Sequence, residues 1–347
     1  MGVTIKDVAV HAGVSHKTVS NVIYGRHERV SPETEARVRA SLAALNYIPN
    51  MAARYLRKQS LGVIALAIPD IINPYFSALS IATVDAAAKY GYTVLIDHTA
   101  GKRESEALVL NGLRPQVIDG ILLNPLFLEQ EDISPQRIDM PVVLLGERLI
   151  DAPFDHVMVD DIAAARVVTQ HLLSQGRRRI AVIGVPDDPD DIMPRHRLSG
   201  YKQALSEANV PIHPELIAPI PPRSFHRTDG ARIMHQLLAL DQPPDAVFCF
   251  NDLVALGAMK ALHEAGRSIP EDVAIAGFDN IEEGLFALPS LTTVGADVQE
   301  IGRTAVELLI ERIRGEKTIS PRHVQVPFQL IQRASTIGQA FTFTLPG

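Results

Sequence analysis

The sequence predicts an N-terminal all-α head, a short linker helix, and an α/β core of two lobes, each built on a doubly wound parallel sheet. Three observations lead to this fold class. Residues 1–48 carry three closely spaced sets of helix start and stop signals. A weak helical stretch follows a proline break, and from residue 61 onward apolar strand-like runs alternate with helical stretches. The length of 347 residues suits two or three domains.

Two short helices separated by a glycine open the chain. Thr4 can cap the first helix, with the acid Asp7 three residues later, and Gly13 can end it. Ser15 is the second capping residue, and Gly25 can end the helix that it begins. Small apolar residues allow the two helices to pack closely. They are Val8, Ala9, Ala12, Val14, Val19 and Val22.

A third helix opens at the tripeptide SPE, residues 31–33, because proline suits the first helical position and acids suit the positive end of the helix dipole. Pro49 then interrupts the chain, and Asn50 can cap the eight residues 51–58. An isolated helix of fewer than about 12 residues is marginal in water. We therefore expect this linker helix to be ordered only when something holds it.

The core contains seven apolar runs that predict strands. They are GVIALAIP (62–69), TVLIDH (93–98), DGILLNP (119–125), PVVLLGE (141–147), RIAVIG (179–184), AVFCF (246–250) and DVAIAGFD (272–279). Continuous apolar runs, rather than alternation with polar residues, predict strands covered on both faces, and hence parallel sheets flanked by helices. The predicted domains are residues 1–48, 49–60 and 61–347, with lobes of approximately 61–158 plus 289–318 and 159–288 plus 319–340.

Charge is distributed unevenly along the chain. Residues 1–60 carry nine Lys and Arg against four Asp and Glu, a net charge of +5, whereas the remainder carries 24 against 36, a net charge of -12. A basic head on an acidic body indicates that only the head meets a polyanion such as nucleic acid. Ordinary surface scatter is the alternative.

The sequence favours a cytoplasmic protein without membrane, metal or cofactor. It has no apolar run of about 18 residues and no signal-like N-terminus. The single Cys249 is expected to be a small buried hydrophobe. The acidic run PDDPDD, residues 186–191, is interpreted as a solvated loop rather than a metal site, and the 12 histidines show no zinc spacing. No phosphate loop or nucleophile elbow is present, so the sequence gives no support for catalysis.

The first two helices have the length and spacing of a helix-turn-helix. The apolar residues named above are needed to pack the two helices together, so they are not available to contact a partner. The polar residues left over on the second helix are His16, Lys17, Thr18, Ser20 and Asn21. The start of such a helix faces the major groove, where Lys can donate to guanine and Asn can pair with adenine. A protein-docking module is the alternative.

Motifs along nearly the whole chain resemble the LacI/GalR family of bacterial transcriptional regulators. In the head they are TIKDVAVHAGVSHKTVSNVIYG and VSPETEARVRASLAALNYIPNMAARYLRK, and in the core they are NPYF, RLSGY, FNDLVALGAMKAL, VAIAGFDN and PSLTTV. The resemblance implies a helix-turn-helix, a hinge helix, and a ligand-sensing core similar to periplasmic sugar-binding proteins. It also implies a homodimer that binds a pseudo-palindromic operator in double-stranded DNA.

The resemblance assigns base reading to His16, Lys17 and Asn21, and the candidate DNA-binding set also includes Ser15, Thr18 and Ser20. Many family members have Arg where this chain has Asn21, so we expect a different operator half-site.

In the family, two hinge helices pair in the minor groove and insert a leucine between base steps. Leu56 occupies that position here, with Ala53 beside it and Asn50 at the start of the helix. Packing of Leu56 against a lobe is the alternative.

A ligand site is expected where parallel strands end at their carboxyl termini. The candidate effector-binding residues are Asn73, Tyr75, Phe76, Glu147, Arg197, Asn251 and Asp279. All of them except Arg197, which begins a helix, come from strand ends. The resemblance implies effector contacts for Asn73, Phe76, Arg197, Asn251 and Asp279. Acid, amide and guanidinium groups beside an aromatic wall suit a sugar or a similar small polar molecule. Two residues have structural alternatives: Asn73 as part of a turn, and Asp252 as the cap of the following helix. Ala296 lies where some relatives place a polar ligand contact.

The sequence therefore predicts an effector-controlled transcriptional regulator, most often a repressor in this family. A secreted solute-binding protein is one alternative, since the core alone would look the same. An enzyme on a doubly wound fold is the other.

Overall fold

The computed structural model describes residues 3–23, 30–47, 60–111, 117–133, 138, 140–186, 192–221, 225–315 and 320–338. The chain divides into two compact units, residues 1–61 and residues 62–347. The first contains the predicted helical head, and the second is the predicted α/β core.

Three helices form the head: α1 (Ile5–Ala12), α2 (His16–Ile23) and α3 (Pro32–Ala44). Their predicted starts are confirmed. The Thr4 hydroxyl accepts a hydrogen bond from the Asp7 backbone N–H at 3.4 Å, and the Asp7 carboxylate accepts one from the Thr4 N–H at 2.8 Å. The Ser15 hydroxyl likewise accepts from the Thr18 N–H at 3.1 Å, and Ser31 caps α3 in the same way. Each cap satisfies backbone donors that a helix start leaves unpaired.

The turn between α1 and α2 is made by Gly13, whose φ of 62° lies in the left-handed region that favours glycine. The two helices pack with α3 around a small apolar core. It consists of Val8, Ala9, Ala12, Val19, Val22 and Val38. Val14 is only partly buried against this core. A hydrogen bond of 3.0 Å between His11 Nδ1 and the Ser41 hydroxyl joins α1 to α3.

The first lobe of the core carries a six-stranded sheet in the order β11-β5-β4-β3-β1-β2, with every neighbouring pair parallel. Its strands are β1 (Val63–Ile68), β2 (Thr93–His98), β3 (Ile121–Leu123), β4 (Val142–Leu145), β5 (Asp155–Met158) and β11 (His323–Gln325). Its helices are α4 (Pro74–Lys89), α5 (Arg103–Leu110) and α11 (Val298–Ile313). A short 3₁₀ helix spans Gln130–Asp132.

The second lobe carries a six-stranded sheet in the order β12-β10-β9-β8-β6-β7, parallel except for the antiparallel edge strand β12. Its strands are β6 (Ile180–Pro186), β7 (Ile217–Ile220), β8 (Ala246–Cys249), β9 (Ala274–Phe278), β10 (Thr292–Ala296) and β12 (Phe328–Ile331). Its helices are α6 (Asp161–Ser174), α7 (Ile192–Glu207), α8 (Arg227–Leu238), α9 (Asp252–Glu264), α10 (Glu282–Phe286) and α12 (Ala334–Ile337). A second 3₁₀ helix spans Pro214–Leu216.

Both sheets are covered on both faces, as the continuous apolar runs predicted. Each lobe has two separate clusters of buried side chains, one on each side of its sheet. Cys249 on β8 is buried, as predicted. The seven predicted strands are present, whereas β5, β7, β10, β11 and β12 were not predicted.

The predicted lobe boundaries differ from the sheets in two places. The segment 289–318 was assigned to the first lobe, but β10 lies in the second sheet, paired with β9. The segment 319–340 was assigned to the second lobe, but β11 pairs with β5 in the first sheet. The chain therefore passes between lobes three times: before α6, after β10, and between β11 and β12. The prediction missed this because an apolar run does not show which sheet its strand joins; β10 pairs with β9, the strand that precedes it in the chain.

Val19→Asp is expected to unfold the head, because it puts a carboxylate where the native side chain is 0% exposed, at a cost of about 3 kcal/mol or more. The matched control is Val10→Asp on α1, where the native side chain is 84% exposed. Hydrogen exchange of the full-length chain should show lost protection in α1–α3 for the Val19 variant, and native protection for the control. Retained protection in the Val19 variant would contradict the packing.

Candidate functional sites

The second helix of the head exposes part of the predicted DNA-reading set. Ser15, His16 and Lys17 are exposed, whereas Asn21 is half-buried. The Ser15 and Thr18 hydroxyls lie 2.9 Å apart and belong to the helix cap. Ser20 is also half-buried on α2. The predicted hinge residues lie outside the described residues; they are Asn50, Ala53 and Leu56.

A cavity of about 460 Å³ lies in the core where the carboxyl ends of strands from both sheets meet. All seven predicted effector-binding residues line it: Asn73, Tyr75, Phe76, Glu147, Arg197, Asn251 and Asp279. The segments that follow β1, β3 and β4 form its wall on the first lobe, and those that follow β8, β9 and β10 form its wall on the second. A cavity of this volume is typical of small-molecule sites.

The guanidinium of Arg197, on α7, is buried in the cavity wall. Its Nε donates to a carboxylate oxygen of Asp161 at 3.0 Å, and Nη1 donates to the carbonyl of Phe250. It also stacks on the Phe278 ring, with 3.4 Å from Cζ to the ring centroid. Because a guanidinium stays charged at ordinary pH, these contacts compensate a buried cation.

Asp161 was missed by the sequence analysis. It is the first residue of α6, and its neighbour Asp160 caps that helix by accepting from the Ala163 N–H at 2.8 Å. Burial raises the pKa of Asp161, and the attraction of Arg197 opposes this rise. The adjacent pair of acids was the one available signal, since a cap uses one acid and leaves the other for a second role.

Asp279 follows β9 and carries the second acid of the cavity. Burial raises its pKa to about 7, against the attraction of Arg197 and with a smaller contribution from Asp161. Its φ of 107° is unusual for a residue with a side chain. A Cβ on Gly295 would lie 3.0 Å from the Asp279 carbonyl carbon, so glycine in β10 permits this close backbone approach.

Two asparagines cap helices at the cavity. Asn73 accepts from the Tyr75 N–H at 3.0 Å, and Asn251 accepts from the Val254 N–H at 2.8 Å. Each therefore has a structural role as well as a place in the cavity wall.

The interpretation of Asp252 as the cap of its helix is wrong, because Asn251 is the cap. The buried Asp252 carboxylate instead accepts from the Thr293 hydroxyl at 2.7 Å and the Ile281 N–H at 2.9 Å. Either residue could have served as a cap by type, and only the fold distinguishes them.

Glu147 and His196 connect the two lobes at the cavity. Glu147 follows β4 of the first lobe, and its carboxylate pairs with Nδ1 of His196 on α7 of the second. The hydrogen bond that His196 donates to Glu147 raises the pKa of His196, although burial opposes the rise. His196 was not predicted, since nothing in its local sequence indicates a partner 49 residues away.

Aromatic and apolar side chains form the remaining wall. Tyr75 and Phe76 meet edge to face with ring centroids 5.1 Å apart, and burial raises the pKa of the Tyr75 hydroxyl. Phe127 and Phe225 also line the cavity and were not predicted. Ala296 lies in the lining, so this chain presents a methyl group there.

Within the described ranges, no group of three or more His, Cys, Asp and Glu side chains is arranged to hold a metal ion. The same part of the chain contains no helix that is long and apolar enough to span a membrane. Of the acidic run 186–191, only Pro186 is described.

A basic helix-turn-helix head, together with a two-lobed core whose cavity carries charged and amide side chains, defines a DNA-binding regulator that binds a ligand. Residues 4–50 match the model for bacterial regulatory proteins of the lacI family, and residues 169–336 match that for a periplasmic binding protein-like domain.

Full-length relatives support the same assignment. The ribose operon repressor of Halalkalibacterium halodurans is 36% identical, over 96% of this chain and 97% of the relative. The transcriptional repressor CytR of Escherichia coli K12 is 35% identical, over 96% of each. A lac repressor dimer bound to operator and the anti-inducer ONPF has a TM-score of 0.81 at 27% identity, covering 97% of this chain and 99% of that one. The chain belongs to the LacI family of bacterial transcriptional regulators.

The raised pKa of Asp279 predicts a pH-dependent stability of the core. A buried carboxyl with a raised pKa contributes stability that is fully present below its ordinary pKa and is lost as the pH rises through about 7. Asp279→Asn should therefore be more stable than the native chain at pH 8, and the difference should be clearly smaller at pH 5.5, where only part of the stability has been lost. Thermal unfolding at both pH values measures it.

The control is Asp241→Asn, which removes the same charge from an exposed turn. It should not reproduce the pH-dependent difference. If the stability of the native chain and that of Asp279→Asn changed in parallel from pH 5.5 to 8, the result would contradict the assigned burial of this carboxyl.

Proposed function

We propose that the protein is a transcriptional repressor that binds a pseudo-palindromic operator as a homodimer and responds to a small polar effector, a sugar or a sugar-like molecule. The observation that carries the proposal is the joining, in one chain, of a basic helix-turn-helix head and a cavity lined by opposite charges and amides. Both relatives named above are repressors, which supports regulation rather than catalysis. We propose the cytoplasm as its compartment, because its DNA target lies there.

A polyhydroxylated effector fits the chemistry of the cavity. The Asp279 carboxylate and the amides of Asn73 and Asn251 can pair with hydroxyl groups, and Arg197 can donate to hydroxyl oxygens. The Phe76 ring supplies an aromatic surface of the kind that covers the apolar side of a sugar ring. The name of the ribose operon repressor makes ribose the first ligand to test.

The DNA-reading residues are proposed from their place on α2 and the family resemblance. The exposed Lys17 can donate to guanine acceptors in the major groove, and Asn21 can pair with adenine. His16 is the third proposed base-reading residue. Leu56 is proposed to insert between base steps of the minor groove, and Asn50 and Ala53 are proposed to contact DNA beside it.

An exposed apolar face of the first lobe supports the homodimer. Ile81 is 61% exposed on α4, and Val84 is exposed on the same helix. Ile96 is exposed on β2, the strand at the edge of the sheet. Apolar side chains that cluster on a surface mark interaction sites, and an unpaired edge strand invites association.

Selection of bound DNA from random sequence, with and without a panel of sugars that includes ribose, tests the proposal. An enriched palindrome and a sugar that changes its recovery are expected. Affinity should fall steeply with salt, with log K losing about 0.9 per phosphate contact per tenfold increase in salt. Without an enriched palindrome the dimeric-operator model fails, and without a response to any sugar the effector class fails.

Asn21→Arg should change which operator is preferred, because a guanidinium pairs with guanine whereas an amide pairs with adenine. A good bidentate contact discriminates by about 1–3 kcal/mol per base pair, so the preferred base should change at one position of each half-site. Ala40→Arg is the control, since it adds the same charge on the exposed side of α3. Selection with each variant measures the effect. Equal weakening on every sequence by Asn21→Arg would refute a base-reading role.

Ile81→Glu together with Ile96→Glu should shift the protein to monomers, because four charges would face each other across a two-fold interface. Operator affinity should fall by at least tenfold as the second half-site is lost. Leu108→Glu is the control: Leu108 is 50% exposed, but α5 packs on the opposite face of the sheet from α4. Sedimentation measures the oligomeric state, and an unchanged dimer in the double variant would place the interface elsewhere.

A further inference from the structure

A buried carboxylate binds the backbone of a loop that lines the cavity, the segment after β3. Glu106, on α5, is 0% exposed and does not line the cavity. Its carboxylate accepts hydrogen bonds from three consecutive backbone N–H groups: Leu126 at 2.9 Å, Phe127 at 3.0 Å and Leu128 at 2.8 Å. Three successive donors can converge on one carboxylate only if the loop curls around it, so Glu106 fixes the shape of the segment after β3.

The electrostatics of Glu106 favour a firm attachment. Burial raises its pKa, while the three N–H groups and the charge of Arg148 oppose the rise. A carboxylate without these donors would be an uncompensated buried charge, and the three amides without it would be left unpaired. The Glu106 carboxylate and the loop therefore stabilise each other, although they are 20 to 22 residues apart in sequence.

Two further contacts hold the same loop from the neighbouring strand. Nε of Arg148, just after β4, donates to the carbonyl of Leu128 at 2.6 Å. The side-chain amide of Asn124 donates to the carbonyl of Leu145 at 3.2 Å. The loop is thus attached to α5 on one side and to the end of β4 on the other.

This loop is part of the cavity. The four residues 124–127 line it, and Phe127 is the aromatic residue among them. A Cβ on Gly101, which follows β2, would lie 3.4 Å from the Leu126 side chain and 3.8 Å from that of Phe127. The loop side chains therefore pack closely between neighbouring strand ends, and a shift of the loop backbone would move the cavity wall.

We propose that Glu106 is a positioning residue for effector binding: without contacting the effector, it holds residues 124–128 so that Asn124 and Phe127 form the wall against which the effector packs. The inference rests on the proposed function, because it assigns this cavity to the effector. It explains why an acid is buried in a helix that otherwise presents its charges to solvent. A role confined to stabilising the fold is the alternative that the experiment separates.

The test compares Glu106→Gln with Glu104→Gln in the full-length chain. Glu104 is exposed on the same helix, so the control loses the same charge without touching the loop. In the Glu106 variant, the amides of Leu126, Phe127 and Leu128 should exchange at least tenfold faster, while those of β1 and β4 stay native. Ribose, the probe ligand, should bind at least tenfold more weakly, and operator binding without sugar should be unchanged.

A double-mutant cycle separates positioning from general stabilisation. If Glu106 acts through the wall, Glu106→Gln should weaken ribose binding much less in a Phe127→Ala background than in the native one. If it only stabilises the fold, the two losses should add and the melting temperature should fall in proportion. Additive losses would overturn the proposal.

Two outcomes keep the inference distinct from the proposed function. If the native chain does not bind ribose, the assigned ligand fails, and the exchange rates of the three amides still decide whether Glu106 holds the loop. Native exchange in the Glu106→Gln variant would overturn the inference whatever the ligand is. If that variant does not fold, Glu106→Asp, which keeps the charge but is one methylene shorter, should show the same changes to a smaller degree, and its failure to do so would overturn the inference.

Discussion

The buried charge of Arg197 is the constraint on which the cavity depends. A guanidinium cannot be neutralised at ordinary pH, so the fold has to surround it with compensating groups. Asp161, the Phe250 carbonyl and the Phe278 ring provide them, each from a different element of the second lobe. The same charge opposes the burial effect on Asp279, which leaves that carboxyl with a pKa of about 7. The charged groups of the cavity wall are therefore held in place before any ligand enters.

The path of the chain explains how such a cavity can respond to a ligand. Three passages between the lobes bring the carboxyl ends of both sheets to one place. At this cavity, the carboxylate of Glu147 in the first lobe pairs with the imidazole of His196 in the second. A ligand that contacts both walls has a different affinity for each relative arrangement of the lobes, and that difference is what shifts a conformational equilibrium. The loop held by Glu106 matters in this scheme because residues 124–127 form part of the first-lobe wall.

Sequence reasoning was most successful where the signal is local. Helix caps, apolar strands and residues at strand ends are encoded within a few positions, and all seven predicted cavity residues indeed line one cavity. It failed where two residues of equal type compete or where partners are distant. Asn251 and Asp252 can both cap a helix by residue type, both are buried, and only the fold distinguishes the cap from its neighbour. The hydrogen-bond partners of Asp161 and Glu106 lie 20 or more residues away in sequence. No local sequence pattern indicates that either acid is buried. The lobe assignment of 289–318 failed for a related reason, since strand pairing is not visible in a single apolar run.

The central claim is that one chain couples operator binding to ligand binding in the core. Coupling between two sites is reciprocal, so an effector that changes operator affinity by some factor must itself bind free and operator-bound protein with affinities that differ by the same factor. The direct measurement is the affinity of the active sugar for the protein with and without saturating operator. Our account predicts two different affinities, in the ratio given by the operator titration. Equal affinities in the two states would contradict it.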